Sequence, residues 1–409
     1  MEALTFLTYL AIVLLIGIIS SIISQKLKLP NILLLLIAGL LVNYLPLETI
    51  QLLQFPPIFL TGIAILALVM IIFDSSARFK LKEFDSLSTQ VFKLTGIFLL
   101  LNTFLLTASS MFIFNINSIF LALLFSFLMS GTDPGSVLTM FKGVKNRVVN
   151  LLEIESLLNT PLIVLLPFLV LDLMENLGLN NITSIQFFNQ IFTFMPDFFL
   201  RFVAGVGSGV IIGLIVFRIM KKEYSETLSP LALITAALLT YILAENLGGN
   251  GVLAVTTLGL LFGNLYVREK GHLFEFSSIF ATSLQILVFF LIGLSIKIPF
   301  TKQFLVKSSL LFVIYILIRL STIHLSFYNN DYNFKEKLFM ALNVQKGIAV
   351  AVVAFTLSTF DIKGIGVILD LTVAFMLYSI LLSTIVGRYS HFFLNKNDKN
   401  RASRVIRTG

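Results

Sequence analysis

Cysteine is absent from the 409 residues, which excludes disulfides, thiol chemistry and cysteine metal sites together. Charge is nearly as scarce. The 29 Lys+Arg and 21 Asp+Glu make up 12% of the chain, where soluble proteins carry about 25%. A water-soluble enzyme of this size could not cover its surface with so few charges. Histidine occurs three times, and the sequence has no His-rich or paired-acid metal constellation, no nucleophile motif and no soluble catalytic domain. A membrane-embedded enzyme therefore has little support, and the chain is read as a non-enzyme with no cofactor. What fills the sequence is apolar: 57% hydrophobic residues with a mean hydropathy of +0.98. That composition selects a polytopic membrane protein.

A bilayer core needs about 20 apolar residues per helix. Thirteen runs qualify: roughly 3–24, 30–46, 57–74, 90–113, 117–140, 148–174, 196–220, 229–246, 250–266, 276–298, 305–328, 336–357 and 365–394. They are continuous and lack the alternation of an outer-membrane barrel strand, so the expected fold is all-α. The first run follows Met1-Glu2 instead of a basic segment and has no small-residue cleavage site; it reads as a helix and not as a signal peptide.

The basic residues check the count. Loops after odd-numbered runs, together with the tail, hold 22 of the 29 positives, among them Lys26, Arg78, Lys142, Lys221, Lys270, Lys335 and Arg388. Loops after even-numbered runs hold five: Arg201, Lys297, Lys302, Lys307 and Lys363. The positive-inside rule then expects the N-terminus outside and the C-terminus inside. Positives spread over short loops are topology determinants, so the net charge of +8 does not point to nucleic acid. Residues 395–409 read as a short, basic, lipid-facing tail.

An inverted internal plan emerges when runs 1–6 (about 1–174) are matched with runs 8–13 (about 229–394), with run 7 (about 196–220) as connector. The fifth run of each half is interrupted, by Ser130-Gly131-Thr132-Asp133-Pro134-Gly135 and by Asn343-Val344-Gln345-Lys346-Gly347. Paired broken helices at matching positions of inverted repeats point to the ion site of a transporter.

Ionisable residues at membrane depth cost several kcal/mol unless paired or hydrated, and four stand out: Asp133, Glu155, Arg319 and Lys346. Asp133, between Thr132 and Pro134, has two compatible readings: the N-cap of the second half-helix, or a cation or proton site beside unwound carbonyls. Glu155 and Arg319 have opposite charges on different runs and are expected to pair, either as structural glue or as a pair that orients the ion site and sets its charge. Lys346 is either a supporting charge that offsets the carbonyl end of a broken helix or a proton-coupled amine. In run 6, helical spacing places Glu155 with Asn159 and Ser156 with Thr160 on one polar strip. Pro161 cannot donate to the carbonyl of Leu157. Hydroxyls, an amide oxygen and a freed carbonyl suit an alkali cation, although such groups also serve as glue between helices. Asp74, Glu245, Asp361 and Asp370 lie near run ends and read as interface or solvated charges.

Taken in order, these residues resemble the monovalent cation:proton antiporter superfamily, in particular the archaeal and bacterial sodium/proton exchangers of the NhaP type. The resemblance rests on Lys26-Leu27-Lys28-Leu29-Pro30, Thr132-Asp133-Pro134 and Glu155-Ser156-Leu157-Leu158-Asn159. It continues with Gly251-Val252-Leu253-Ala254-Val255, Gly263-Asn264, Gly293-Leu294, Arg319 and Lys346-Gly347-Ile348-Ala349-Val350-Ala351. It implies thirteen helices in two inverted six-helix repeats, a homodimer, and a core domain whose crossed broken helices move against a dimerisation domain. It also implies Thr132 and Ser156 as cation ligands, Asp133 as a polar residue at the crossing, Glu155–Arg319 as the buried pair and Lys346 as the basic residue near the second break. Na+, or K+ or Li+ in its place, is the cargo, held at Asp133, Ser156 and Thr132, in exchange for H+ in the service of pH homeostasis.

One position departs from the family. The family carries Asn-Asp in run 6, with the aspartate binding cation and proton alternately; here the pair is Asn159-Thr160. Threonine coordinates a cation but does not titrate, so proton coupling is expected to rest on Asp133 or Glu155. Of the two, Asp133 is the expected exchanging carboxylate, because Arg319 stands opposite Glu155. The alternative is a non-exchanging relative: an ion sensor, a channel-like protein or a scaffold.

Overall fold

The computed structural model describes residues 3–27, 30–44, 55–78, 86–132, 146–177, 184–223, 225–265, 267, 269–295, 299, 301–328 and 332–394. All the regular structure among them is helical. The helices are α1 (Ala3–Leu27), α2 (Asn31–Tyr44), α3 (Pro57–Ala77), α4 (Ser86–Phe114), α5 (Ile119–Leu128), α6 (Arg147–Leu177), α7 (Ser184–Lys222) and α8 (Leu228–Asn246). They continue as α9 (Gly251–Asn264), α10 (Lys270–Ser295), α11 (Lys302–Ser326), α12 (Phe334–Leu342), α13 (Ile348–Ser358), α14 (Ile365–Arg388) and α15 (Ser390–Phe393). Eight of these helices are long and apolar enough to cross a membrane, and five shorter apolar segments accompany them. One of the thirteen falls in each of the thirteen runs. The protein is an all-α polytopic membrane protein.

Local chemistry sets several boundaries. Asn250 and Thr301 accept hydrogen bonds from the backbone N–H groups of Leu253 and Phe304, capping α9 and α11. Asn333 and Glu336 form a reciprocal capping box at the start of α12. Gly364 adopts φ +88° ahead of α14, a left-handed conformation that other residues rarely take. One boundary differs from the apolar pattern. Run 7 began at Pro196, whereas α7 starts at Ser184 and passes through that proline. The residues added are more polar (Gln186, Asn189, Gln190), and a helix outside the hydrocarbon does not need an apolar run to persist.

Two of the main helix contacts pair matched runs reciprocally. Helix α2 packs on α10, and α9 packs on α3; runs 2 and 9, and runs 3 and 10, are the matched pairs. Glycines make both approaches close. A Cβ added to Gly39 would lie 2.3 Å from the Phe290 carbonyl and 2.9 Å from Gly293 Cα, and one added to Gly259 would lie 2.8 Å from the Phe73 carbonyl. Membrane helices associate largely through such small-residue contacts, because lipid offers no hydrophobic drive between them. Gly39→Val is therefore expected to push α2 off α10 and to destabilise the protein by about 1–3 kcal/mol. Thermal unfolding in detergent checks this, and an unchanged midpoint would contradict it.

A second apolar cluster joins Val91 and Leu94 of α4, Val148, Val149, Leu151 and Leu152 of α6, Ile323 of α11, Phe339 and Met340 of α12, and Val386 of α14. The starts of α4 and α6 thus meet the ends of α11 and α14. These are the ends whose flanking segments hold the basic residues, so the alternation read from charge agrees with the packing.

Candidate functional site

The second expected interruption exists, and at the first the helix ends where expected, with residues 133–145 outside the described residues. Regular helix stops at Leu128 in α5, and Met129 to Thr132 form a turn and then non-helical chain. Run 12 divides into α12 and α13 with Asn343 to Gly347 non-helical between them. A helix end leaves carbonyls without intrahelical partners, and such groups need an alternative inside a membrane.

Lys346 supplies that alternative across the two breaks. Its ammonium donates to the Met129 carbonyl at 2.7 Å, the Gly131 carbonyl at 2.5 Å and the Tyr315 hydroxyl at 2.6 Å. The nitrogen also lies 4.5 Å from the centre of the Tyr315 ring. Its backbone N–H donates to the Ser379 hydroxyl of α14 at 3.1 Å, so main chain and side chain are both fixed. The residue is fully buried. A positive charge at the carbonyl end of α5 is also the favourable sign for the helix dipole.

Glu155 and Arg319 pair as expected. Arg319 donates to the Glu155 carboxylate at 2.6 Å, and both side chains have 0% exposure. The guanidinium lies 4.6 Å from the centre of the Phe98 ring; its Nε and second amino group have no hydrogen-bond partner among the described residues. The other carboxylate oxygen accepts from Asn159 at 3.3 Å. That bond realises the i,i+4 strip on α6, which continues as helix through Pro161. Asn159 is buried and Ser156 is partly buried on the same helix.

Thr132, the last described residue of the first break, is 2% exposed, and its hydroxyl has no partner among the described residues. An unpartnered buried oxygen beside an unwound carbonyl fits a hard cation. Asp133 lies outside the described residues, as does the side chain of Thr160.

The structure therefore joins Lys346 to the first break and Glu155 to Arg319 and Asn159. Sequence reasoning missed Tyr315, which receives the third hydrogen bond of Lys346, and Ser379. Tyr315 was findable: it stands four residues before Arg319, hence on the same face of α11. Nothing in the pattern marked Ser379. Also missed was the buried pair Asn102 and Ser126, in which the amide donates to the Ser126 carbonyl at 2.7 Å and the hydroxyl donates to the Asn102 carbonyl at 2.8 Å. These bonds tie α4 to the half-helix that carries the break.

Comparison with known proteins agrees with this architecture. The chain is 26% identical over 387 residues to Na(+)/H(+) antiporter 1 of Methanocaldococcus jannaschii, covering 89% of this chain and 85% of that one. It is 25% identical over 299 residues to the K(+)/H(+) antiporter NhaP of Alkalimonas amylolytica, covering 72% of this chain and 50% of the relative. In fold, it is similar to the solved sodium proton antiporter MjNhaP1 from Methanocaldococcus jannaschii at pH 8, with a TM-score of 0.78, 21% identity, and coverage of 97% of this chain and all of the other. The family described as "Sodium/hydrogen exchanger, transmembrane" matches residues 10–395, and the chain belongs to that family.

Proposed function

We propose that this protein exchanges a monovalent cation, Na+ in the first instance, for H+ by alternating access across a prokaryotic cell membrane. The cation binds between the first break and α6, at Thr132, Asp133 and Ser156, with Asn159 and Thr160 completing the polar wall. Thr132 carries this reading: a buried hydroxyl without a partner among the described residues, next to main chain that has left the helix, is what a hard cation needs. Asp133 supplies the negative charge among otherwise neutral ligands. The Glu155–Arg319 pair anchors α6 to α11 beside the site. The N-terminus lies outside, the C-terminus lies in the cytoplasm, and the working unit is a homodimer whose core moves against a dimerisation domain.

Glu155 is committed to Arg319, which leaves the Asp133 carboxylate and the Lys346 amine as candidates for carrying the proton. Purified protein in liposomes with an acid interior should accumulate radioactive sodium as protons leave. Asp133→Asn should raise the half-saturating cation concentration at least about tenfold, since a unit charge a few ångströms away is worth more than 1.4 kcal/mol at low effective dielectric. A wild-type protein that accumulates neither Na+, K+ nor Li+ would instead support the non-exchanging relative, for which Thr160 is the motive.

A further inference from the structure

A chain without the run-6 aspartate needs another group to trade its proton for the cation, and Lys346 is positioned for it. We propose that Lys346 carries the exchanged proton: the cation binds beside Thr132 as the Lys346 ammonium becomes a neutral amine, and the cation leaves when the amine is reprotonated. This inference rests on the exchange reaction proposed above and deepens it.

Adjacency is the first support. The Lys346 nitrogen lies on the carbonyl of Gly131, one residue from Thr132, whose hydroxyl has no partner among the described residues. A cation held by that hydroxyl and the ammonium would be two like charges at close range, in surroundings that screen them poorly.

Hydrogen-bond chemistry is the second. A charged ammonium donates three bonds, and three oxygens surround it. A neutral amine donates two bonds and accepts one. The carbonyls of Met129 and Gly131 can only accept, but the Tyr315 hydroxyl can also donate. Turning the Tyr315 O–H toward the nitrogen satisfies the neutral amine in the same place, so losing the proton leaves no buried polar atom unpaired. An arginine could not make this change, because guanidinium keeps its proton in proteins.

Charge is the third. Among the described residues, the charged groups that act on Lys346 are Arg319 of α11 and Glu155 of α6, beside its partner Tyr315; Asp133 follows Thr132 in sequence but lies outside the described residues. On α14, Tyr378 shares a hydrogen bond with Ser308, and Asp370 is nine residues from Ser379, about 14 Å along the helix. Asp133, Glu155, Arg319 and charged Lys346 sum to zero. Binding a cation while Lys346 loses its proton keeps that sum at zero. If Asp133 exchanged the proton instead, the same set would carry one net positive charge in both the proton-loaded and the cation-loaded state. An uncompensated charge at membrane depth is the costlier arrangement. The exchange balances as one cation entering from the open cavity for one proton released to its water, with no net charge moved.

The test is proton release by detergent-purified protein in weak buffer on addition of NaCl, read beside equilibrium sodium binding at several pH values. Wild type should release one proton per cation bound, and its apparent dissociation constant should rise tenfold for each pH unit of acidification while Lys346 is charged. Lys346→Gln keeps two N–H donors for the Met129 and Gly131 carbonyls but has no proton to give; it should bind sodium without release and without the tenfold loss of affinity per pH unit that wild type shows over the range where Asp133 stays ionised. Asp133→Asn should bind more weakly yet still release a proton. Should Lys346→Gln misfold, Lys346→Arg keeps the charge permanently; when monodisperse, it should bind no sodium at any pH. Proton release by a folded Lys346→Gln protein, sodium binding by a folded Lys346→Arg protein, or binding without release in Asp133→Asn would overturn the assignment to Lys346. Absence of exchange in wild type would instead remove the exchange reading itself.

Discussion

Replacing Arg319 with methionine is expected to abolish exchange and to destabilise the protein by about 3–5 kcal/mol. The pair is at 2.6 Å with both side chains at 0% exposure. The magnitude follows from what remains and not from the worth of the pair. Taking two charges out of water costs nearly as much as their attraction returns, so a buried ion pair adds little net stability; removing one partner leaves the other charge in a membrane interior with nothing to oppose it. In this variant Glu155 keeps its bond to Asn159, but an amide does not neutralise a carboxylate. The double variant Glu155→Gln with Arg319→Met should recover most of the lost stability without recovering exchange. Thermal unfolding in detergent separates the two effects: a single variant as stable as wild type would show that the charges are solvated, and a double variant no better than the single would show that lost packing dominates. Packing is a real alternative here, since Arg319 is among the largest fully buried side chains and stacks on Phe98.

Thr160→Asp should have the next largest effect. It places an acid beside Asn159, adding one negative charge to the cation site proposed above. At alkaline pH the apparent affinity for sodium should rise about 30- to 100-fold, corresponding to roughly 2–3 kcal/mol of added attraction. The variant should also lose affinity steeply as pH falls through the range where a carboxylate takes up its proton, because protonation now removes a ligand charge directly. Sodium binding measured from pH 5 to pH 9 reads both effects. An affinity unchanged from wild type would place Thr160 outside the cation's surroundings.

Much of this architecture was legible because a membrane limits the choices. With backbone polar groups unable to hydrogen-bond lipid, each long apolar run has to be helical, and the basic loops order the runs by side. Hence all thirteen runs appear as helices in their expected places. Glu155 and Arg319 were also readable as a pair, because neither could be buried alone. Their partners were not. That Lys346 would reach across to Met129 and Gly131, 217 and 215 positions away, depends on how α5 and α13 are set against each other. No local spacing encodes that arrangement. The close approach of Gly39 to Gly293 was hidden for the same reason: a glycine in an apolar run looks like any small residue until the opposing backbone is seen. The start of α7 was missed on other grounds, since hydropathy marks where lipid begins and not where a helix does.

The central claim is that cation and proton movements are coupled in this chain despite Thr160. Its most direct test is proton flux across liposomes containing the purified protein, with a pH gradient imposed and Na+, K+ or Li+ added outside in turn. The account predicts that at least one of these cations, sodium foremost, collapses the gradient promptly, that choline does not, and that the rate is unchanged when valinomycin and potassium clamp the membrane potential, because one charge crosses in each direction. A gradient that persists whichever cation is added would contradict it.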